Sequence, residues 1–488
     1  MITDELRLRI HQSSGFELTE EQAKAADTFC AFATDRHDRT AMILKGSAGT
    51  GKTTLAGAIV KALVSLRQKI ILLAPTGRAA KVFSMYAGHA AFTVHRRIYR
   101  QKSVDSGMSG FRLNDNLYAD TLFIVDEASM VANGGDGGFG SGCLLDDLVS
   151  YVYSGRNCRL MLIGDKAQLP PVGEEESPAL SAETMRGYGL DIYVAELNEV
   201  MRQSRSSGIL SNATAIRRMI THDEITGLPV IRFSGFADIS IVRGDELVEQ
   251  LASSYSREGT DGTMVITRSN KRANIYNRGI RNMVLGREEE LTTGDMLMIV
   301  RNNYHWTERE LKSATDPEAA MDIPAFIANG DIARVRRVRN QRELYGFRFA
   351  DITLVFPDYN DYELTATAVL DTLAADAPAL THEQNEQLLN AVMDDYADVP
   401  LKADRMKRLR QDAFFNALQI KYAYAVTCHK AQGGQWAHIY IDQGYMTDNM
   451  LTPDYIHWLY TAFTRATDHL FLVNWPKEQT AGTDSRAH

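Results

Sequence analysis

Ile43-Leu44-Lys45-Gly46-Ser47-Ala48-Gly49-Thr50-Gly51-Lys52-Thr53-Thr54 is the stretch whose reading decides the fold. Gly46, Gly51, Lys52 and Thr53 have the G-x-x-x-x-G-K-[ST] spacing of a phosphate-binding loop, directly behind the apolar run Ala41–Leu44. Glycines at 46, 49 and 51 let the backbone bend so that successive N–H groups turn inward toward phosphate oxygens. The helical stretch that follows, TTLAGAIVKALVSL, aims its positive N-terminal end at the same place. The expected pocket is therefore Gly46, Ala48, Gly49, Thr50, Gly51, Lys52, Thr53 and Thr54, with Lys52 reaching the β and γ phosphates and the Thr53 hydroxyl on Mg²⁺. A glycine-rich turn that binds nothing is the bland alternative. It is disfavoured because strand, loop and helix all fall where the motif requires them.

Working outward, 488 residues exceed what one core supports and suggest about three to four domains. Hydrophobic content of 44% and charged content of 24% are ordinary for a globular chain, and no apolar run approaches the roughly 20 residues that cross a bilayer. The opening MITDELRLRI lacks the form of a signal peptide, so the expected location is cytoplasmic and no membrane partner is expected. Cys30, Cys143, Cys158 and Cys428 form no C-x-x-C pair, which points to neither a zinc site nor a disulfide framework. The net charge of −9 argues against a protein that coats nucleic acid, yet Asp331–Glu343 holds five arginines and Thr267–Arg281 is also basic. Each cluster reads either as part of a groove for a polyanion or as a solvated face.

The remaining motifs fall at the ends of strand-like runs. Thr19 and Gln22 have capping-box spacing at the start of a helix, so Gln22 reads equally as a cap and as an amide for an adenine edge. KIILLA (69–74) leads into Pro75-Thr76-Gly77-Arg78-Ala79-Ala80-Lys81, and loops at such strand ends are where α/β folds place ligands. Thr93-Val94-His95 follows, then a polar stretch from Gln101 to Asn116 that reads as a hairpin around Ser106–Gly110, with Phe111 beside the turn as packing or as a wedge. TLFIVD (121–126) ends in Asp126 and Glu127, a pair suited to holding a metal shell and to orienting or deprotonating water. Asn133–Gly142 carries six glycines and reads as a connector. RLMLI (159–163) leads to Gln168, held by Leu-Pro-Pro as a sensor for a γ-phosphate or simply a residue of a Gly-Asp turn. A second alternation of strands and helices begins beyond Arg202 and lacks a phosphate loop. It contains Met264–Thr267, AYAVT (423–427) before Thr427-Cys428-His429-Lys430-Ala431-Gln432, and a helix into Tyr460–Thr467. Short strand-like runs between about 290 and 417 read as an inserted small β domain.

Taken in order, GSAGTGKTT, APTGRAAK, FTVH, VDEASM, GDKAQLPPVG, EVMRQ, TCHKAQGGQ and YTAFTRA resemble the superfamily 1B helicases, most closely the RecD-like and Dda-like 5′-to-3′ DNA helicases. The resemblance covers about residues 16 to 475. It implies two RecA-like α/β domains: one over 1–200 with a hairpin insertion at about 98–120, the other over 201–289 and 418–488, with an SH3-like β-barrel inserted at 290–417. It further implies ATP and Mg²⁺ as cofactors, and single-stranded and forked DNA as partners. Carried over by position, Gln22 would meet adenine, Asp126 the metal and Glu127 the water. Gln168, Arg202 and Arg465 would meet the γ-phosphate, the two arginines as fingers completing the site on closure. Single-stranded DNA would run past Pro75, Thr76, Arg78, Lys81, Thr93, His95, Thr427, His429, Lys430 and Gln432, with Phe111 the candidate wedge. Met201 and Gln435 depart from the family's usual aromatic and acidic residues at those places.

The first functional reading is thus an ATP-driven DNA helicase. A nucleotide-switched clamp, or a translocase that never unwinds, is the alternative. A complete hydrolytic set in Glu127, Gln168, Arg202 and Arg465 favours the motor, because a switch needs a phosphate site only.

Overall fold

Ala41–Leu44 is completely buried, with alternate residues facing opposite sides of the first of two parallel sheets. The computed structural model describes residues 2–101, 111–134, 141–199, 206–221, 227–314, 323–324 and 326–481. In that first sheet the strands lie in the order Ala91–Thr93 (β3), Lys69–Ala74 (β2), Thr121–Val125 (β6), Arg159–Gly164 (β7), Thr40–Gly46 (β1) and Asp191–Leu197 (β8). Every pairing is parallel, which requires crossovers between neighbours and places helices over the faces. Met42 and Leu44 of β1 join a core with Phe29, Ile59 and Phe83, while Ala41 and Ile43 join Phe123, Leu148 and Tyr151 on the other side. The period-two alternation of a strand thereby serves two helical layers at once.

Tyr99–Gln101 (β4) and Phe111–Leu113 (β5) form an antiparallel hairpin off this domain, with Gln101 opposite Phe111. The turn expected around Ser106–Gly110 and the Phe111 side chain lie outside the described residues, as does most of the glycine-rich stretch after DEASM.

Ile239–Val242 (β10), Ala466–Val473 (β19), Trp436–Asp442 (β18), Thr263–Thr267 (β11) and Ala425–Thr427 (β17) make the second sheet in that order, again all parallel. Ile231–Arg232 (β9) and Thr480–Ala481 (β20) add a short parallel pair. Met296–Ile299 (β12), Ile332–Leu344 (β13), Phe347–Phe356 (β14), Tyr362–Val369 (β15) and Leu418–Tyr422 (β16) close into a barrel. Its last strand starts just past the expected limit at 417. β15 and β16 run parallel, so the chain must cross between them, and it does so through helices His382–Asp394 and Lys402–Gln411. These helices cover a satellite core of Phe347, Phe349, Leu388, Val392 and Leu409. The architecture is therefore two RecA-like α/β domains, the second interrupted by a β-barrel.

Asp295, completely buried, roots the barrel in the second domain. Its carboxylate accepts from Arg281 Nε (3.0 Å), Arg287 Nη1 (2.7 Å), the Tyr424 hydroxyl (2.9 Å) and the Thr292 amide (2.8 Å). These donors hold its carboxyl below the usual range against the opposing effect of burial. Asp295→Ala leaves two guanidinium groups without their anion, and we expect a loss of about 3–5 kcal/mol in urea unfolding. Loss below about 1 kcal/mol would show that the network is peripheral.

Candidate functional site

At the end of β1 the backbone has no room for a side chain: a Cβ on Gly46 would lie 2.8 Å from Lys52 Cγ and 2.9 Å from Thr50 Oγ1. Gly49 (φ 77°) and Gly51 (φ 80°) then turn through the left-handed region, which glycine enters without steric cost. The loop folds around its own Ser47 carbonyl, which accepts from Thr50 Oγ1 (2.8 Å) and Lys52 Nζ (2.9 Å). Lys52 opens the helix Lys52–Ser65; Thr53 next to it is half-buried and Thr54 exposed. Gln22 sits behind the loop, completely buried. Its Oε1 accepts from the Thr19 amide (3.1 Å), completing the capping box, and its Nε2 donates to the Thr50 carbonyl (3.1 Å). The cap reading of Gln22 is realised, and an adenine contact would draw its amide from two protein partners.

β6 delivers Asp126 and Glu127 beside this loop. Glu127 has φ 52°, a costly conformation for a residue with a side chain, of the kind that clusters at functional sites. The Glu127 amide donates to Asp126 Oδ1 (2.9 Å). Burial, and then the charge of Glu127, push the Asp126 carboxyl up to about 7, with Lys52 acting weakly in the other direction. A buried carboxyl raised in this way, paired with a second acid at the mouth of a phosphate loop, fits a divalent cation such as Mg²⁺. Gln168 follows a turn in which Asp165 accepts from the Ala167 amide (3.0 Å), and its buried Oε1 has no hydrogen-bond partner.

The second domain reaches into the same site. Arg465 is 2% exposed and is aimed by the Thr461 carbonyl (3.2 Å), the Gly434 carbonyl (3.3 Å) and Thr464 Oγ1 (3.1 Å), which brings Nη1 to 3.9 Å from Glu127 Oε1. Tyr460, on the helix Pro453–Phe463, accepts from the Ala48 amide of the phosphate loop (2.9 Å) and donates to Asp165 Oδ2 (2.6 Å). Next to it, Thr461 Oγ1 accepts from the Leu169 amide (2.8 Å), and Gln432 Nε2 donates to the Leu169 carbonyl (2.6 Å). Sequence reasoning singled out Arg465 and Gln432 but missed Tyr460, Thr461 and Asp165. For Tyr460 and Thr461 the available signal was a hydroxyl pair inside the apolar run Trp458–Phe463. Arg202 lies outside the described residues.

The loops expected to touch a nucleic-acid strand do come together. Thr76 caps the helix Gly77–Ala87, and a Cβ on Gly433 (φ 72°) would lie 2.9 Å from Thr76 Oγ1, so the tips following Pro75 and Thr427 abut. Arg78 donates to the Gln435 carbonyl (2.7 Å) with its guanidinium 4.2 Å over the Trp436 ring, and Lys81 donates to the Pro357 carbonyl (2.6 Å). These two cations are thus engaged by the second domain and the barrel. Thr93 caps a short helix carrying His95, whose ring is 6.3 Å from that of Phe326. Thr427 is half-buried, His429 exposed, and the half-buried Lys430 is pushed down to about 8 by burial and by Lys421. No carboxylate pairs with Lys430 among the described residues, which leaves it suited to a phosphate. The basic clusters are spent in part on the fold: Arg334, Arg336 and Arg342 of β13 pair with Asp261, Glu363 and Asp351, and Arg272 with Asp442, while Arg337 and Arg339 are exposed.

Residues 17–227 match a family described as AAA domain, and 422–473 a UvrD-like helicase C-terminal domain. The ATP-dependent RecD2 DNA helicase of Deinococcus radiodurans is 36% identical over 156 residues, 32% of this chain and 18% of that protein. The ATP-dependent DNA helicase dda of Enterobacteria phage T4 is 27% identical over 298 residues, 58% of this chain and 61% of that protein. This chain therefore aligns with only part of either relative. A crystal structure of a Bacteroides Pif1 helicase in complex with ADP-AlF3 and ssDNA, 16% identical, covers 95% of this chain and 94% of that chain at a TM-score of 0.46, a likeness too remote to bear on function.

Because the raised Asp126 carboxyl binds its proton more tightly folded than unfolded, its burial costs stability as pH rises from about 4 through about 7. Asp126→Asn removes that cost. Without nucleotide or divalent ions, we expect the variant to melt above the wild type at pH 8, with the gain shrinking toward pH 5 in thermal scans. A gain independent of pH would remove Asp126 as its source.

Proposed function

We propose, because the chain belongs to the RecD-like and Dda-like branch of the superfamily 1B helicases, that it hydrolyses ATP to move 5′ to 3′ along single-stranded DNA and separate the duplex ahead. The observation that carries this reading is the split site: Tyr460 and Arg465 of the second domain stand at the phosphate loop and Glu127 of the first. A site completed only across a cleft makes hydrolysis depend on domain closure, which is what a stepping motor needs and a simple phosphate binder does not.

In this reading residues 1–200 form the first motor domain, 201–289 with 418–488 the second, and 290–417 the inserted barrel. The amides of Gly46 to Thr54 and the Lys52 ammonium hold the phosphates, Lys52 leaving the Ser47 carbonyl to do so. Thr53 and Asp126 would hold Mg²⁺, which when bound supplies positive charge against the phosphate oxygens. Glu127 orients the attacking water and takes its proton. Gln168, with its amide oxygen unpartnered, senses the γ-phosphate, and Arg465 with Arg202 meets the charge that develops there in the transition state. Lys430 binds a DNA phosphate beside the loop tips at Thr76 and Thr427, where contacts to the backbone are indifferent to sequence. Closure then shifts one grip relative to the other, and the hairpin ending at Phe111 meets the fork.

Glu127→Gln should leave ATP binding intact while lowering hydrolysis about 10²-fold or more. Arg465→Ala should lower DNA-stimulated hydrolysis about 10³-fold with little change in nucleotide affinity. Near-normal stimulated turnover in Arg465→Ala would overturn the split-site mechanism.

Duplexes with a single-stranded 5′ tail should be unwound and those with only a 3′ tail should not, in a strand-displacement assay run beside ATP hydrolysis with and without single-stranded DNA. Opening of 3′-tailed substrates alone would overturn the direction. Stimulated hydrolysis with no strand separation would leave a translocase, and hydrolysis indifferent to DNA would overturn the helicase reading.

A further inference from the structure

At the opposite end of the second sheet from the loop after Thr427, three side chains converge where β18 and β19 begin and the helix Leu247–Glu258 ends. They are His438, Asp468 and Glu258, with one ligand atom of each within 4.8 Å of the others. We propose that these three residues hold a divalent transition-metal ion of the zinc type.

The buried imidazole carries the argument. His438 is 1% exposed, and its Nε2 is buried without a hydrogen-bond partner. The other ring nitrogen belongs to a chain of hydrogen bonds whose direction follows from its far end. The Tyr440 hydroxyl donates to the Gln250 carbonyl (2.9 Å), so the Ser254–Tyr440 bond (2.6 Å) uses the proton of Ser254. Ser254 Oγ is then left to accept from His438 Nδ1–H (2.8 Å). That order fixes the tautomer: Nε2 carries a bare lone pair, and it faces Asp468 Oδ2 at 3.5 Å and the Glu258 carboxylate. Three acceptors facing one another, one of them buried, call for positive charge between them, either a proton shared by His438 and Asp468 or a metal ion. Burial, with Arg257 nearby, holds the imidazole toward its neutral form, which disfavours the proton.

The geometry suits that cation. Ligands at about 2.0–2.2 Å around a tetrahedral ion lie roughly 3.4 Å apart, which matches the His438–Asp468 separation. Glu258 and Asp468 are exposed side chains and can close the remaining distance. Ser254 takes the part of the partner that fixes the tautomer and angle of a ligating histidine. One nitrogen and two carboxylate oxygens favour zinc-like ions over Mg²⁺, and leave a position for water. His469, although adjacent to Asp468, is turned to Ser240 Oγ (2.9 Å) and does not belong to the set. Bound there, the ion would staple the end of the helix to the starts of two strands, three residues beyond Arg465.

Titration of Zn²⁺ into EDTA-stripped, nucleotide-free protein by calorimetry tests this. One equivalent should bind tighter than about 10 µM. Asp468→Asn, whose side chain is 62% exposed and bears no load in the fold, should weaken it at least about 10-fold, and Ser254→Ala about 10- to 100-fold. His438→Gln should abolish it. Absence of Zn²⁺ binding in the wild type, or unchanged affinity in a folded Asp468→Asn, overturns the site. Metal binding is read without ATP or DNA, so this result and that of the helicase assays fail independently.

Discussion

The hydroxyl of Tyr460 is the contact on which the arrangement of the two α/β domains turns. It takes a hydrogen bond from an amide of the phosphate loop and gives one to Asp165, in a setting where burial raises the phenol well above its ordinary range and keeps it protonated. Phosphate-loop amides are the donors that a nucleotide needs, so the second domain is bonded to the surface that would sense phosphate. Thr461, four residues before Arg465 and itself an acceptor for its guanidinium, ties the same helix to Leu169 just beyond Gln168. One helix, Pro453–Phe463, therefore registers both the phosphate loop and the turn that carries Gln168. A shift of either moves Arg465 relative to Glu127.

Charge is distributed around this helix in a way that a well-packed core would not tolerate. Asp126 is held near neutrality by burial, Gln168 has an unsatisfied oxygen, and Lys430 has its ammonium destabilised with Lys421 close by. Each represents a cost that only a ligand of opposite polarity removes: a cation at Asp126, an anion at Lys430. Elsewhere the same chain pairs many of its charges, as the two arginines on Asp295 and the arginine pairs of β13 show.

How much of this was legible depends on whether the signal is local. β1, β2, β6 and β7 are continuous apolar runs bounded by turn residues, and each was read within a residue or two of its limits. β8 escaped because it is an edge strand, half exposed, with Asp191 and Glu196 breaking the apolar pattern. The capping box at Thr19 and Gln22 follows from a spacing of three, but the bond from Gln22 to Thr50 does not. Tyr460 meets Ala48 across 412 residues of chain, a contact that no spacing announces. Charge density is ambiguous for the same reason: of five arginines in thirteen residues, Arg334, Arg336 and Arg342 meet Asp261, Glu363 and Asp351 in the fold, while Arg337 and Arg339 stay exposed. Arg78 and Lys81 share that lesson, because a cation on a strand-tip loop can serve a neighbouring domain as readily as a ligand.

Those two residues also explain how the barrel is joined to the first α/β domain as well as to the second. The helix Gly77–Ala87 begins against the barrel so closely that a Cβ on Gly77 would lie 2.8 Å from the Tyr359 hydroxyl and 3.2 Å from Asp331. Tyr359 in turn donates to Asp331 (2.8 Å), whose carboxyl burial pushes up to about 7, and Lys81 donates one turn further along to the Pro357 carbonyl. On its other side Arg78 reaches the Gln435 carbonyl and the Trp436 ring of the second domain. A single short helix is thus in contact with all three units, and its capping residue, Thr76, touches the glycine turn after Gln432. Relative motion of the two parallel sheets cannot occur without breaking the Arg78 contacts or carrying this helix along, and carrying it along displaces the barrel. The cleft is thus joined to the barrel through the start of this helix, where a Cβ on Gly77 would press on the Tyr359 hydroxyl.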